Sequence, residues 1–396
     1  MKIFISNLQL LDIGGISTSL LNFLNELKKD NDITLCILSN YVSNNVSLPE
    51  DIRVIQGFNM LGEALVDRCR ISNIGNYRKV RMVLLRMLKR FLGVKFILTF
   101  CLRGKKVEGC YDVAIAFSNN LYSNSGDITL GGDYQFVLNS VKARKKLAWI
   151  HNDTAKCGIT RHIATEIFRD FDGIIHVSKN NKILFDKIVP EYKEKSFVIY
   201  NMYNILRIKQ LSVEHDNPYV NNGKIHLVTV CRLDEKQKKI SRILEAAKIL
   251  VADGYTNFDW KVVGDGIDRP GYEQKLNDYC LQNFIEFVGL KPNPYPYMKY
   301  ADAFVLTSLY EGLGMANVEA QILNTPALVT DYGAADEVIV NNINGIICEN
   351  SVDGVVEMVK RILVEPALLS KFRQYFIDNP VNNNLALQQF YEIALH

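Results

Sequence analysis

The sequence predicts an α/β fold built from two doubly wound domains. Short apolar strands alternate with helical patterns along the chain, and these strands lack the in-and-out alternation of a half-exposed sheet. Strands of that kind are typical of parallel sheets covered by helices on both faces. The alternation restarts near Lys224, and 396 residues suit two domains of about 200 residues each.

In the first half, apolar runs predict strands separated by helical segments. The predicted strands cover 2–6, 33–38, 52–56, 112–117, 146–150, 173–177 and 196–200. Gly14 and Gly15 precede a helix predicted over 16–27, where leucines repeat at helical spacing. Because glycine leaves room beside the backbone, we expect this pair to form a loop that a diphosphate or an acceptor can approach closely.

In the second half, the same alternation continues after a polar stretch. The predicted strands cover 226–230, 259–263, 285–288, 303–306, 326–330 and 345–348. The Asn-rich stretch from 201 to 223 indicates a linker, so we place the two domains at 1–205 and 206–380. Residues 382–395 predict a last helix, with an apolar face that comprises Leu385, Leu387, Phe390, Ile393 and Ala394.

Glu311 and Glu319 frame a segment whose chemistry suits a nucleotide-sugar. An apolar strand at 303–306 precedes them, Gly312 and Gly314 suit a tight loop, and a helix begins shortly before Glu319. A strand, a glycine-rich loop and a helix in this order point backbone N–H groups and a positive helix end at an anion. The two carboxylates add acceptors for hydroxyl groups. An ordinary βα unit with a capping glutamate would show the same order of elements.

This segment resembles the donor-site signature of retaining glycosyltransferases of the two-domain GT-B type, family 4 (group 1) in particular, in which seven residues separate two glutamates. Further matching elements are a strand-Arg-Leu…Lys…helix element at 228–246, a strand ending in Gly-Asp-Gly at 260–266, and a strand and loop at 287–298. The first half matches more loosely, through Gly14-Gly15, the His151 region and 198–201. The resemblance implies a GT-B fold with an inter-domain cleft, and a C-terminal helix at 381–396 that crosses back to the first domain.

Arg232 and a nearby lysine suit the diphosphate of a donor. A guanidinium pairs with phosphate oxygens through two parallel bonds, and a lysine adds a point charge. We favour Lys238 over Lys236, because Lys238 keeps the family's spacing to the following helix. A solvated basic turn is the alternative interpretation of this loop.

The resemblance also assigns roles to the framing glutamates. It implies that Glu319 holds the ribose hydroxyls and that Glu311 holds those of the transferred sugar. The amides expected to meet the sugar and the diphosphate are those of Gly312, Leu313, Gly314 and Met315. Transfer with Glu311 as nucleophile and same-face transfer with the leaving phosphate as base both remain open.

His151 follows a predicted strand and is the second candidate catalytic residue. A histidine at the end of a parallel strand is well placed to donate to a sugar hydroxyl or a phosphate, and the resembled enzymes have a histidine near this point. Capping of the next helix is the alternative.

The segment 76–106 combines an apolar stripe with basic residues. The stripe recurs at helical spacing and comprises Val80, Val83, Leu84, Met87, Leu88 and Phe91. The basic residues around it are Arg78, Lys79, Arg81, Arg86, Lys89 and Arg90. A helix of this composition can lie on an anionic bilayer, and we expect membrane contact through Arg86, Lys89 and Arg90. Packing on the domain's own sheet is the alternative.

Composition argues against several other classes of protein. Hydrophobic content of 48% and charged content of 22% are those of a globular protein, and a net charge of +3 does not predict nucleic-acid binding. Eight scattered cysteines without a Cys-x-x-Cys pair indicate reduced thiols rather than disulfides or a metal site. With no leader-like start and no run of about 18 apolar residues, we expect a cytoplasmic protein, peripheral on the inner face of the membrane.

These features predict a glycosyltransferase that moves a sugar from a nucleoside-diphosphate donor, UDP-linked, to a lipid-linked or saccharide acceptor in bacterial surface-polysaccharide synthesis. We expect no metal or other cofactor, since no Asp-x-Asp follows a strand. The alternatives are a transferase for a protein acceptor, a GT-B-shaped sugar-nucleotide epimerase, and a silent membrane subunit that scaffolds a partner transferase. The intact pair of glutamates and Arg232 argue against the silent subunit.

Overall fold

The computed structural model describes residues 1–10, 14–43, 46–65, 75–118, 121–124, 127–130, 132–154, 156 and 158–395. The chain divides into two compact units. The first comprises Met1–Tyr203 with Asn384–His396, and the second comprises Asn204–Asn383.

The described part of the first unit contains a seven-stranded parallel sheet. Its strands are β1 (Lys2–Asn7), β2 (Asp32–Ile37), β3 (Arg53–Gln56), β4 (Tyr111–Ala116), β7 (Ala143–Ile150), β8 (Gly173–His176) and β9 (Ser196–Val198). Their order across the sheet is β3-β2-β1-β4-β7-β8-β9. Two short strands, β5 (Leu121–Asn124) and β6 (Asp127–Leu130), form a separate antiparallel pair.

Helices lie around this sheet in the described part of the first unit. They are α1 (Gly15–Leu27), α2 (Asn59–Leu65), α3 (Asn76–Leu102), α4 (Gly132–Ser140), α5 (Arg161–Phe168), α6 (Lys179–Ile188) and α14 (Asn384–Leu395). On α14, Phe390 is buried and meets the ring of Phe23 on α1 at 5.4 Å. Leu385, predicted on the packed face of this helix, is exposed, because Ala386 instead faces the core.

The second unit repeats the doubly wound design in its described residues. Its strands are β10 (Ile225–Val230), β11 (Phe258–Val263), β12 (Ile285–Gly289), β13 (Ala303–Leu306), β14 (Ala327–Thr330) and β15 (Gly345–Cys348), in the order β12-β11-β10-β13-β14-β15. Its helices are α7 (Ile205–Leu211), α8 (Ser241–Ala252), α9 (Arg269–Asp278), α10 (Tyr295–Lys299), α11 (Met315–Ile322), α12 (Val352–Val364) and α13 (Ala367–Asp378). All pairings in this sheet are parallel. The predicted fold class is confirmed.

Both sheets reverse their strand order beside the first strand of the unit. The reversal lies between β1 and β4 in one sheet and between β10 and β13 in the other. In open α/β sheets, ligands bind outside the carboxyl ends of the strands at such a point. The loops after β10 and β13 are therefore the place to look for a ligand site in the second unit.

Helix α7 and the β5–β6 pair were not predicted from the sequence. The predicted linker at 201–223 contains helix α7, which begins after Asn204; the Asn204 side chain accepts a hydrogen bond from the Arg207 amide at 3.1 Å. Asparagine is a favoured helix N-cap, so asparagine-rich composition concealed a helix start. The β5–β6 pair was not predicted, because four-residue strands with polar positions lack a clear apolar run.

Helix α3 contains a sharp bend at Gly93, which has φ 83° and ψ 166°. Such a backbone conformation favours glycine. Before the bend, Met82 and Leu85 face the core, whereas the six residues of the predicted stripe are 39–76% exposed. The stripe therefore does not pack on the unit's own sheet.

The cysteines of the described residues are free thiols, as the sequence indicated: Cys36, Cys101, Cys110, Cys231, Cys280 and Cys348. Cys69 and Cys157 lie outside the described residues. Burial raises the pKa of Cys36 to about 12, so this thiol stays protonated and acts as core packing.

Candidate active site

The loop between β13 and α11 ends at a left-handed glycine. Gly314 has φ 80° and ψ 63°, and α11 begins at the next residue. A Cβ on Gly314 would lie 2.8 Å from the hydroxyl oxygen of Tyr332. Glycine is required there, because the backbone conformation disfavours a side chain and the neighbouring space is filled. This turn places the positive end of α11 at the carboxyl edge of the sheet.

The carboxylate of Glu311 is buried and held by three side chains. Only 6% of the residue is exposed. Lys238 Nζ lies 2.5 Å from Oε1, the Ser308 hydroxyl donates to Oε1 at 2.6 Å, and the Gln237 amide donates to Oε2 at 3.4 Å. Burial lowers the pKa of Lys238, but the charge and the hydrogen bond of Glu311, together with the neighbouring Cys231, outweigh burial and the net pKa is raised. The lysine is therefore held as an ammonium group beside the carboxylate.

Hydrogen bonds between two loops fix the position of Lys238. The Thr307 hydroxyl, just after β13, donates to the carbonyl oxygen of Lys238 at 3.0 Å. The amide of Leu309 donates to the carbonyl oxygen of Gln237 at 2.8 Å. The loops after β10 and β13 are thereby tied together, so the cation and the carboxylate meet although they are far apart in sequence.

Arg232 lies in the loop after β10 with its guanidinium group turned to solvent. Its side chain is 65% exposed and donates to Asp234 Oδ2 at 2.9 Å. A phosphate can replace Asp234 as its partner without breaking a buried bond. Of the two lysines considered from the sequence, Lys238 contacts Glu311, whereas Lys236 is exposed.

Glu319 lies on α11 in an environment unlike that of Glu311. The residue is 8% exposed, and the Tyr295 hydroxyl donates to Oε1 at 3.5 Å. Burial raises the pKa of Glu319 to about 7, and the hydrogen bond from Tyr295 partly opposes this rise. A buried carboxyl group with a long hydrogen bond has lone pairs for the hydroxyl groups of a ligand.

Four further residues support this site, and sequence reasoning did not select them. They are Tyr295, Thr307, Ser308 and Asn350. The Asn350 amide donates to the carbonyl oxygens of Leu309 at 3.3 Å and Asp331 at 2.6 Å. Ser308 stands three positions before Glu311, a spacing that could have selected it. Asn350 follows a different strand and gives no signal in the sequence.

His151 lies after β7 in the first unit and is mostly buried. Its Nε2 lies 2.6 Å from the carbonyl oxygen of Phe117. Burial lowers the pKa of His151 to about 4, so the ring is neutral near pH 7. Because a carbonyl oxygen only accepts, the proton sits on Nε2 and Nδ1 carries a lone pair. With this geometry Nε2 is engaged by a backbone carbonyl, and Nδ1 of the neutral ring can only accept a hydrogen bond, so the donor role predicted for this histidine does not fit the observed contact.

The glycine pair of the first unit precedes α1 as expected. Gly14 has φ 154° and ψ 132°, and Gly15 is the first residue of the helix. A Cβ on Gly14 would meet no described atom within 4 Å. Among the described residues, none therefore crowds the backbone at the start of α1.

Most of the second unit matches the model of a known protein family. Residues 214–379 match the family described as Glycosyl transferases group 1. An uncharacterized glycosyltransferase of Methanocaldococcus jannaschii is 29% identical over 197 residues, which is 47% of this chain and 48% of that protein. The poly(ribitol-phosphate) alpha-N-acetylglucosaminyltransferase of Staphylococcus aureus is 25% identical over 236 residues, or 52% of this chain and 47% of that protein. The matches thus span about half the length of these relatives.

Solved structures extend the likeness of fold over the whole chain. The S. aureus TarM structure with UDP and an alpha-GlcNAc-glycerol has a TM-score of 0.68 at 14% identity and covers 100% of both chains. The Anabaena HepE structure with UDP and glucose has a TM-score of 0.66 at 16% identity and covers 99% of this chain and 98% of that one. The chain therefore has the GT-B fold, and its residues 214–379 match the model of the glycosyl transferases group 1 family.

Proposed function

We propose that this protein is a retaining glycosyltransferase. In this proposal it moves a sugar from a nucleoside-diphosphate donor, UDP-linked, to a lipid-linked or saccharide acceptor in cell-surface polysaccharide synthesis. The observation that carries the proposal is the contact of the half-buried Lys238 with the buried Glu311 beside the positive end of α11, at the strand-order reversal of a parallel sheet.

The cations of this site suit a departing diphosphate. Bond cleavage at the sugar leaves negative charge on the diphosphate, and fixed positive groups that meet this charge lower the barrier. Lys238 is fixed by its loop contacts, while the exposed Arg232 is free to leave Asp234 for a phosphate oxygen. The amides of the first turn of α11 add partial positive charge.

The carboxyl groups suit the hydroxyl groups of the same donor. We assign Glu319 to the ribose hydroxyls, because its carboxyl is buried with a long hydrogen bond from Tyr295. We assign Glu311 to the hydroxyls of the transferred sugar, since Lys238 places it next to the diphosphate. His151 Nδ1 is assigned to accept a hydrogen bond from a hydroxyl group of a bound saccharide.

Relatives supply the chemical context of the proposal. Structural neighbours were solved with UDP, and one with UDP-glucose. Related proteins include an amylovoran biosynthesis glycosyltransferase of Erwinia amylovora and a capsular polysaccharide biosynthesis glycosyltransferase of S. aureus. These names favour a UDP donor and a polysaccharide product.

A panel of nucleotide-sugars tests the proposal. A donor that binds the folded protein should raise its melting temperature, and the effective donor is then incubated with oligosaccharide and lipid-linked acceptors. NMR of the product should show the anomeric configuration of the donor. An inverted product would refute retention, a released epimer would indicate the epimerase, and no binding of any nucleotide-sugar would refute the proposed function.

We further propose that transfer needs no divalent metal, because Lys238, Arg232 and the α11 amides can meet the diphosphate charge. Among the residues that the structure describes, no group of three or more His, Cys, Asp or Glu side chains is arranged to hold a metal ion. Activity should therefore persist in excess chelator. Complete loss with EDTA and recovery with manganese would contradict this expectation.

The exposed stripe of α3 supports a second proposal, namely that the protein binds the inner face of an anionic cell membrane. Within the described residues, the structure contains no helix of the length and apolarity needed to span a bilayer. Lys79 and Arg90 are exposed beside the stripe. Arg78 and Arg81, by contrast, pair with the buried carboxylate of Glu63 at 2.8 and 2.6 Å and thus anchor the helix.

The anchoring contacts refine the residues to test. The sequence selected Arg86, Lys89 and Arg90, but Arg86 Nε donates to the carbonyl oxygen of Glu63 at 3.1 Å. Replacing Arg86 would therefore also remove a contact that stabilises the fold. The variant used to test membrane binding leaves Arg86 unchanged.

Replacing Lys79, Lys89 and Arg90 by glutamate should release the protein from anionic vesicles. Each basic residue near such a surface contributes about 1 kcal/mol, so the three reversals should weaken binding more than about a hundredfold. Vesicle co-sedimentation at several salt concentrations measures the effect, which should also fall as salt rises. The control variant reverses three exposed lysines elsewhere, Lys2, Lys193 and Lys209, and thus changes net charge equally. Equal binding of the two variants would show that the α3 surface is not the contact.

A further inference from the structure

The proton position on His151 depends on a single peptide group. The carbonyl oxygen of Phe117 faces His151 Nε2 at 2.6 Å. The N–H of the same peptide group belongs to Ser118 and donates to Asp133 Oδ2 at 2.8 Å. Since the trans peptide is planar, its C=O and N–H point in opposite directions. Asp133 and His151 thus lie on opposite sides of one rigid group.

Further hydrogen bonds hold the residues on either side of this peptide bond. The Ser118 hydroxyl also donates to Asp133 Oδ2 at 2.8 Å and accepts from the amide of Leu8 at 3.2 Å. The amide of Phe117 donates to the carbonyl oxygen of Ser6 at 2.9 Å. All of these residues are buried. The loop after β4 is therefore locked between β1 and α4.

We propose that Asp133 is a positioning residue that fixes the Nε2–H tautomer of His151 through the Phe117–Ser118 peptide. The carboxylate orients the peptide plane so that its oxygen faces the imidazole. It also accepts the N–H, which polarises the amide and makes the carbonyl oxygen a stronger acceptor. An Asp that holds a histidine tautomer usually contacts the ring directly. Here a backbone amide stands between them.

A consequence for substrate recognition follows from the fixed tautomer. With the proton on Nε2, Nδ1 accepts a hydrogen bond, so the histidine selects a hydroxyl donor and disfavours a phosphate oxygen. This role of Nδ1 rests on the proposed glycosyl transfer. The coupling between Asp133 and the His151 tautomer does not.

Imidazole ¹⁵N NMR measures the tautomer without any substrate. The chain has six histidines, and His151→Gln assigns the relevant signals. In the wild type we expect one protonated and one bare nitrogen, with the proton on Nε2. Burial raises the pKa of Asp133 to about 7, so the spectra are recorded at pH 8, where the carboxyl is ionised. Asp133→Asn keeps the shape and an acceptor oxygen but removes the charge, so the two signals should move towards each other as the Nδ1–H form becomes populated. Asp133→Ala should bring the two signals still closer together. If Asp133→Ala does not fold, the result for Asp133→Asn tests the proposal by itself.

Ser118→Ala provides the matched control. It removes two buried hydrogen bonds of the Ser118 hydroxyl and keeps the amide bond to Asp133, so it should lower the melting temperature and leave the tautomer unchanged. If Asp133→Asn and Ser118→Ala both leave the ¹⁵N signals of His151 as in the wild type, the proposal is wrong and Asp133 only stabilises the loop.

Turnover then separates this proposal from the proposed function. If the protein transfers sugar, Asp133→Asn should lower kcat about tenfold with little change in the KM for the donor. Because loss of folded protein also lowers the apparent kcat at constant KM, the folded fraction is measured by circular dichroism and kcat is expressed per folded molecule. If no transfer is found, the NMR result still tests the coupling.

Discussion

Replacing Lys238 by methionine should lower kcat/KM by about a thousandfold. The variant loses the fixed cation that meets the departing diphosphate, and loss of one such group typically costs about 10²–10³ in rate. It also leaves the Glu311 carboxylate buried without its counter-ion, which should lower the free energy of unfolding by about 3 kcal/mol. Steady-state kinetics well below the melting temperature, together with denaturant unfolding, measure the two effects.

Two companion variants separate charge from stability. Lys236→Met removes an exposed lysine from the same loop and should change neither quantity. Adding Glu311→Gln to Lys238→Met removes the unpaired charge, so stability should recover while turnover stays low. Wild-type turnover in Lys238→Met would exclude the lysine from the donor site.

Replacing Glu319 by glutamine should stabilise the empty protein at pH 8 and weaken its binding to a nucleoside diphosphate. The folded-state pKa of Glu319 is raised from 4.5 to about 7, so between these values the folded state keeps a proton that the unfolded state has released. Stability therefore falls as pH rises through this window and is lowest above it. The shift corresponds to about 3 kcal/mol at most, and glutamine removes this cost. At pH 5 the variant and the wild type should be close in stability.

Ligand binding should show the opposite dependence on pH. An ionised carboxylate accepts the ribose hydroxyls, so affinity for the nucleotide should fall as pH drops below about 7 in the wild type. In Glu319→Gln the affinity should be about 10- to 100-fold lower at pH 8, because bonds to a charged group contribute about 1.5–3 kcal/mol. The only dependence on pH left in this variant should be that of the terminal phosphate of UDP, whose second pKa is about 6. Melting curves with and without UDP from pH 5 to pH 8 measure both trends. A variant that is less stable than the wild type at pH 8, or equal in affinity, would contradict the assignment.

The strands were predictable because their side chains are apolar on both faces. A strand such as Ala303–Leu306 is stable where helices cover both faces of the sheet, because all four of its side chains are then buried. The β5–β6 pair and α7 were not predictable in the same way, since a four-residue strand and a seven-residue helix contain too few positions for a period to emerge.

The sequence predicted the two glutamates of the candidate site, but it could not predict their ion pairs or their pKa values. The spacing of Glu311 and Glu319 and the glycines between them indicated both residues, without distinguishing their environments. Only the folded chain shows that Lys238 neutralises the first and that burial raises the pKa of the second. The proton position on His151 likewise depends on a carbonyl group more than thirty residues away, which no local pattern reveals.

Before Gly93, one face of α3 stabilises the fold and the other face favours self-association of the purified protein. Met82 and Leu85 hold the helix to the core, so the outward face can be altered without loss of the fold. That outward face presents side chains such as Leu84 and Phe91 to water. Exposed apolar surface of this kind promotes self-association when nothing covers it. Polar residues at these positions should give a protein that stays monomeric at higher concentration, and detergent should serve the same purpose for the natural sequence.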